Sequence, residues 1–192
     1  MSLARRPCTF EFQFRGPALF VIELPNPCLT LLIGPSGAGK STFAARYFRP
    51  TEIISSDHCR ALICDDEAAQ HINAETFGLV QHLAQLRLQQ GKLTVIDATN
   101  LEYRARRPFL RLARRCGVAA VAMVFEVALT TCQAQNQTRN NRVVPAAVVQ
   151  KQAVELAQTQ ARLAREGYAG IYRLNESNLA AVTVVRIKQQ HG

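Results

Sequence analysis

Three short stretches carry residues whose types and spacing could do chemistry. Gly34-Pro35-Ser36-Gly37-Ala38-Gly39-Lys40-Ser41 fits the pattern G-x-x-x-x-G-K-[ST] in full. In such a loop the glycines let backbone N–H groups turn inward on phosphate oxygens. The lysine reaches the β and γ phosphates, and the hydroxyl beside it ligates a divalent cation. Gly34, Ser36, Gly37, Ala38, Gly39, Lys40, Ser41 and Thr42 are therefore candidate nucleotide-binding residues, with Thr42 suited to the α-phosphate. The second stretch, IISSDHCR (53–60), ends in Asp57 and Arg60. A carboxylate there can take the proton of an attacking hydroxyl. An arginine three residues on shares its face if the chain coils, and can hold a phosphate beside that hydroxyl. The third stretch, LTVID, ends on Asp97, a candidate Mg²⁺ ligand together with Ser41. For both aspartates the plain alternative is a helix N-cap.

These residues need elements that aim them at one place. LTLLI (29–33), EIIS and LTVID are continuous apolar runs, as in strands covered on both faces of a parallel sheet. Each candidate group follows such a run, so all three project from the carboxyl edge, where open α/β sheets bind ligands. STFAARYF reads as a helix after the glycine loop, stopped by Pro50. Residues 65–90 read as one long helix with an acidic N-terminus and Gly91 beyond its end. LEYRARRPFLRLARRC reads as a helix that Pro108 must start or kink, and residues 146–166 as another, closed by Gly167. VAAVAMVFEV, YAGIYRL and AAVTVVRI read as strands, and CTFEFQF with ALFVIEL as an antiparallel edge pair. Strands alternating with helices predict an α/β sandwich around a parallel sheet.

The 192 residues suit a single domain with one sizeable core, and 48% apolar residues exclude a disordered chain. Six cysteines show no metal-ligand spacing with the four histidines, which argues against zinc and a disulfide framework. No apolar run reaches the ~18 residues of a membrane span, so a cytoplasmic protein away from the membrane is expected. The net charge of +9 is lopsided: residues 1–96 hold 9 Lys/Arg against 8 Asp/Glu, residues 97–192 hold 14 against 6. Most of the cations are arginines, which favours a polyanionic partner. Arg104, Arg107, Arg111 and Arg114 or Arg115 recur at spacings of three and four, a stripe that either tracks a phosphate backbone or is a solvated face.

The stretches GPSGAGKSTFA, PTEIISSDHCRALICDDE, GKLTVIDATN, NQTRNNRVVP and REGYAGIYRLN resemble the polynucleotide 5′-kinases, in particular the kinase module of bacterial RNA end-healing and repair enzymes. The resemblance spans about residues 29–175, and its S-S-D-x-x-R element is more specific than the glycine loop. It implies a P-loop NTPase fold with an adenylate-kinase-like sheet flanked by helices, the Asp97 strand lying next to the P-loop strand. It also implies ATP and Mg²⁺ at Lys40 and Ser41, Asp57 as general base and Arg60 on the acceptor's phosphate. A small lid, about residues 132–148, would bring Arg139 or Arg142 to the γ-phosphate. The acceptor would be the 5′-hydroxyl end of RNA or DNA. With no D-x-D-x-T acid pair and no K-x-D-G lysine, any phosphatase or ligase would come from partner proteins. Two other readings stay open, a small-molecule kinase for a nucleoside, sugar or antibiotic hydroxyl, and an ATP-binding regulatory module that transfers nothing.

Overall fold

A computed structural model of the chain describes residues 20–139 and 142–188. Five strands form a fully parallel sheet: β2 (Cys28–Ile33), β3 (Ile53–Ser55), β4 (Thr94–Asp97), β5 (Ala119–Phe125) and β6 (Gly170–Leu174). Their order is β3-β4-β2-β5-β6, which puts the Asp97 strand directly beside the strand that feeds the glycine loop. In register, Asp97 is level with Leu32 on one side and Ser55 on the other. All six residues of β2 are buried. Their side chains alternate between two cores: Leu29, Leu31 and Ile33 pack on one face, Cys28 and Leu32 on the other. Each such leucine contributes about 1.5–3 kcal/mol by leaving water.

Helix α1 (Lys40–Tyr47) starts inside the glycine loop and α2 (Ser56–Cys64) starts directly after β3. The helices α3 (Asn73–Gln89), α4 (Tyr103–Arg115), α5 (Leu129–Gln137) and α6 (Ala146–Leu163) complete the layers. α3 and α6 end shortly before Gly91 and Gly167, the stops that the sequence marks, and α4 ends shortly before Gly117. Pro108 lies inside α4 and the helix runs through it.

Two readings of the sequence are corrected. Residues 65–90 do not form one helix: Asp65 ends α2 in a left-handed conformation (φ 56°), and α3 starts only at Asn73 after a short 3-10 turn at Gln70–Ile72. The acidic run therefore sits in a turn, where Asp66 accepts the Ala68 N–H (2.8 Å), instead of capping a helix. The second difference is at the edge. β1 (Phe20–Asn26) pairs in parallel with β7 (Val182–Lys188) as a separate two-stranded sheet. CTFEFQF, its expected antiparallel neighbour, lies outside the described residues.

Candidate active site

The glycine loop turns from β2 into α1 with two of its glycines, Gly37 and Gly39, in left-handed backbone (φ 80° and 84°). At Gly37 a side chain is excluded twice over, since an added Cβ would lie 2.0 Å from the Cys132 carbonyl oxygen of α5. The loop is tied to its surroundings by backbone bonds. The Gly34 N–H donates to the Thr99 carbonyl (3.0 Å), and the Ser36 N–H donates to Gln152 Oε1 on α6 (2.8 Å).

Lys40 folds back over this loop and donates to the Gly34 and Pro35 carbonyls (2.9 and 2.7 Å). Burial lowers its pKa to about 8, Asp97 opposes that shift and Arg139 adds to it. Asp97 shifts the other way: burial raises its pKa, while the Lys40 ammonium and the Ser41 hydroxyl pull it down. A carboxylate and a hydroxyl side by side are hard oxygen donors, the set that Mg²⁺ takes when phosphates and waters fill its remaining positions. The described residues hold no cluster of three or more His, Cys, Asp or Glu that would suit a softer metal.

Asp57 lies in the first turn of α2, below an N-cap in which Ser55 Oγ accepts the His58 N–H (3.3 Å). The positive end of the helix favours a carboxylate there. Its Oδ1 accepts from Arg60 Nη1 and from Arg142 Nη1, both at 2.8 Å, while Arg139 Nη2 stands 4.0 Å from Oδ2. Arg60 and Asp57 thus share a face as their spacing predicts. Yet Arg60 is 4% exposed, and its two terminal nitrogens are engaged: Nη1 also donates to the Glu67 carbonyl (2.9 Å) and Nη2 to Asn73 Oδ1 (3.0 Å). Its Nε–H is buried without a hydrogen-bond partner, so that edge of the guanidinium is left for an acceptor's phosphate without loss of these bonds. His58 is exposed and does not line the cavity that Asp57 lines.

The segment carrying Arg139 and Arg142 is pinned at its base. The buried Asn136 side chain donates to the Val144 carbonyl (2.7 Å) and accepts the Val144 N–H (3.1 Å), which ties the end of α5 to the residues just before α6. One cavity of about 770 Å³ then takes in Lys40, Ser41, Thr42, Asp97, Asp57, Arg60, Arg139 and Arg142. Ser36, Gly37 and Gly39 line it too, whereas Gly34 and Ala38 stay buried behind.

Several lining or supporting residues had no local signal. Gln152, Asn73, Gln70 and Phe77 reach the cavity from α6, α3 and the turn before it, at sequence distances no motif spans. Phe77 belongs to neither core, so its ring faces the cavity as an aromatic surface. Asn100 carried a weak signal, its place after Asp97-Ala98-Thr99. It is buried with φ 48° and donates to the Leu32 carbonyl (2.8 Å), joining the ends of β2 and β4.

A parallel sheet with the phosphate loop and a facing carboxylate on one edge defines a P-loop kinase-like fold, the build of a phosphotransferase that binds ATP and commonly Mg²⁺. Residues 29–163 match the AAA domain family (AAA_33), and the chain belongs to it. Among curated proteins, the phosphate import ATP-binding protein PstB 3 of Streptococcus pneumoniae serotype 4 is 38% identical over 72 residues, 38% of this chain and 28% of that protein. Among solved structures, the Pnkp1/Rnl/Hen1 RNA repair complex contains a similar chain (20% identity, TM-score 0.61, 71% of this chain and 46% of that one). A putative kinase from Chloroflexus aurantiacus is similar at 13% identity and TM-score 0.53, covering 81% of this chain and 95% of that one. The Mycobacterium tuberculosis APS kinase CysC, in complex with AMPPNP and APS, is similar at 17% and 0.51, covering 82% and 94%. The chain thus spans under a third of its curated relative and under half of the RNA repair chain. No helix among the described residues is long and apolar enough to cross a membrane.

Proposed function

We propose that the protein is an ATP-dependent polynucleotide kinase that transfers the γ-phosphate of ATP to the 5′-hydroxyl end of RNA or DNA. The observation that carries the reading is Asp57, a carboxylate set among arginines in the same cavity as the phosphate loop. A solvated helix cap needs no arginine from 85 residues away in the chain, as Arg142 is. The S-S-D-x-x-R resemblance and the basic second half of the chain support a nucleic-acid acceptor, and the RNA repair complex among the similar structures agrees with it.

In this mechanism Lys40 and the loop amides hold the β and γ phosphates, and Thr42 holds the α-phosphate. Asp97 and Ser41 would hold Mg²⁺, which when bound would neutralise phosphate charge. The acceptor's 5′-oxygen forms a bond to the γ-phosphorus as the bond from that phosphorus to the β–γ bridging oxygen breaks, and ADP leaves. The acceptor's proton passes to Asp57 Oδ2, because Oδ1 is occupied by Arg60 and Arg142. The lid, residues about 132–148, divides its arginines. Arg142 fixes the base, and Arg139, whose charge acts on Lys40 and Asp97, takes the γ-phosphate. An arginine there offsets charge that develops in transfer.

One observation favours a second reading. The terminal nitrogens of Arg60 are already bonded, and Phe77, Gln70 and Asn73 offer an aromatic and amide surface that suits a small hydroxyl-bearing acceptor. Transfer of labelled γ-phosphate to 5′-hydroxyl oligonucleotides, with wild type beside Asp57→Ala and Arg139→Ala, tests the proposal. Labelling that drops at least about a hundredfold in Asp57→Ala, as loss of a general base implies, supports it. ATP turnover without labelling of RNA or DNA moves the acceptor to a small molecule. Full labelling by Asp57→Ala would remove Asp57 as the base, and ATP binding without turnover or labelling in wild type would leave an ATP-binding module without this chemistry.

A further inference from the structure

Helix α4 carries a charge pattern that its own stability opposes. Six of its 13 residues are arginines and none is acidic. Arg106 is spent inside the molecule: it is buried, pairs with Glu166 and donates to the Asn100 and Leu101 carbonyls (2.7 and 2.6 Å). The other five, Arg104, Arg107, Arg111, Arg114 and Arg115, are exposed. Arg104 pairs with Glu102, and the Arg114 Nε donates to the Leu110 carbonyl of its own helix. Arg107, Arg111 and Arg115 have no carboxylate within ion-pair distance among the described residues. They stand at i, i+4 and i+8, so they line one row, about 6 Å from one to the next.

One local effect works against that row: like charges at i, i+4 destabilise a helix, although Arg115 in the last turn is favoured by the helix dipole. Ordinary solvated faces mix the signs and avoid the repulsion. A row of forked, permanently charged groups is what phosphate oxygens match. The helix also starts in the right place. Asp97 at the end of β4 and Ala98 and Thr99 in the turn before α4 line the cavity, so the row leads away from the cavity rim along the outside of the molecule. Tyr103, at the start of α4, is its one exposed large hydrophobic, and no aliphatic side chain joins it, so the face offers a lipid surface little apolar area.

We propose that the exposed face of α4 is a track for the phosphodiester backbone of single-stranded nucleic acid, with Arg107, Arg111 and Arg115 contacting phosphates beyond the end held at Asp57. It rests on the kinase reading for where the strand ends, and not for the binding itself.

The test is the salt dependence of binding, followed by anisotropy of a tagged single-stranded 5′-hydroxyl oligonucleotide on the full chain. Each phosphate neutralised on a single strand contributes about 0.7 to the slope of log K against log salt. Arg107→Gln/Arg111→Gln/Arg115→Gln is therefore expected to lower that slope by about 2 and weaken binding at low salt at least about tenfold. Its thermal midpoint should stay close to that of wild type, since the repulsion removed offsets the lost interaction of Arg115 with the helix C-terminus, which separates lost binding from lost folding. The triple Arg→Lys variant should keep most of the slope. An unchanged slope and affinity in the Gln variant would overturn the track. So would binding to anionic vesicles that the Gln variant loses while its oligonucleotide binding stays intact. The two proposals fail separately: absent end labelling in wild type removes the kinase reading but leaves the binding measurement, and unchanged binding removes the track but leaves labelling.

Discussion

Lys40 and Asp97 face each other across the cavity with opposite shifts from one cause, removal from water. For Lys40 the sign has a direct consequence. Its pKa is lowered from 10.5 to about 8, so the folded chain gives up this proton before the unfolded chain does. The unliganded protein therefore gains stability from this group as pH rises through that window, and is disfavoured by it below. ATP needs the ammonium. Binding near pH 8 should take up part of a proton, and ATP affinity should fall as pH rises above 8, by up to about tenfold per unit. Calorimetry in two buffers of different ionisation heat measures the uptake, and Lys40→Met should abolish it. Uptake that persists in Lys40→Met would assign the titration elsewhere.

At the scale of elements, the turn between β4 and α4 is held from three sides. Asn100 ties it to β2, the Gly34 N–H bonds the Thr99 carbonyl, and Arg106 bonds two of its carbonyls while pairing with Glu166 just beyond α6. The Thr159 hydroxyl of α6 also donates to the Leu101 carbonyl (2.5 Å). Asp97 and the start of the phosphate loop thus depend on a side chain 69 residues away from Asp97, in the turn that follows α6. Arg106 and Glu166 are 1% and 5% exposed, so deleting the acid leaves a guanidinium buried and unpaired. Glu166→Ala should reduce stability by about 3–5 kcal/mol in denaturant titration. A loss under 1 kcal/mol would show that water reaches Arg106 and that the pair does not hold the turn.

Across the whole molecule, the two-stranded sheet is joined to the main body by another arginine fork. Arg186 of β7 donates to both carboxylate oxygens of Glu52 (2.9 and 2.6 Å), and Glu52 also accepts the Arg49 N–H (2.9 Å) in the turn before β3. Tyr47 of α1 donates to the Val182 carbonyl (2.9 Å) in the same region. Glu52→Ala should lower global stability by about 1–3 kcal/mol, with faster hydrogen exchange in β1 and β7 than in β2. Equal protection in both sheets would mean that they open together without this link. The sequence by itself determined the phosphate loop, the buried strands, the parallel sheet and the pairing of Asp57 with Arg60, because each follows from local spacing: a period, a glycine turn, one helical turn. It misread residues 65–90, where an acidic run looked like a helix start, because an aspartate can also enter the left-handed region and end a helix, as Asp65 does. Only the tertiary structure brought Arg142 to Asp57, Gln152 to Ser36 and Glu166 to Arg106. Those contacts join elements whose separation along the chain no periodicity records, and burial fixes them only once the sheet has closed.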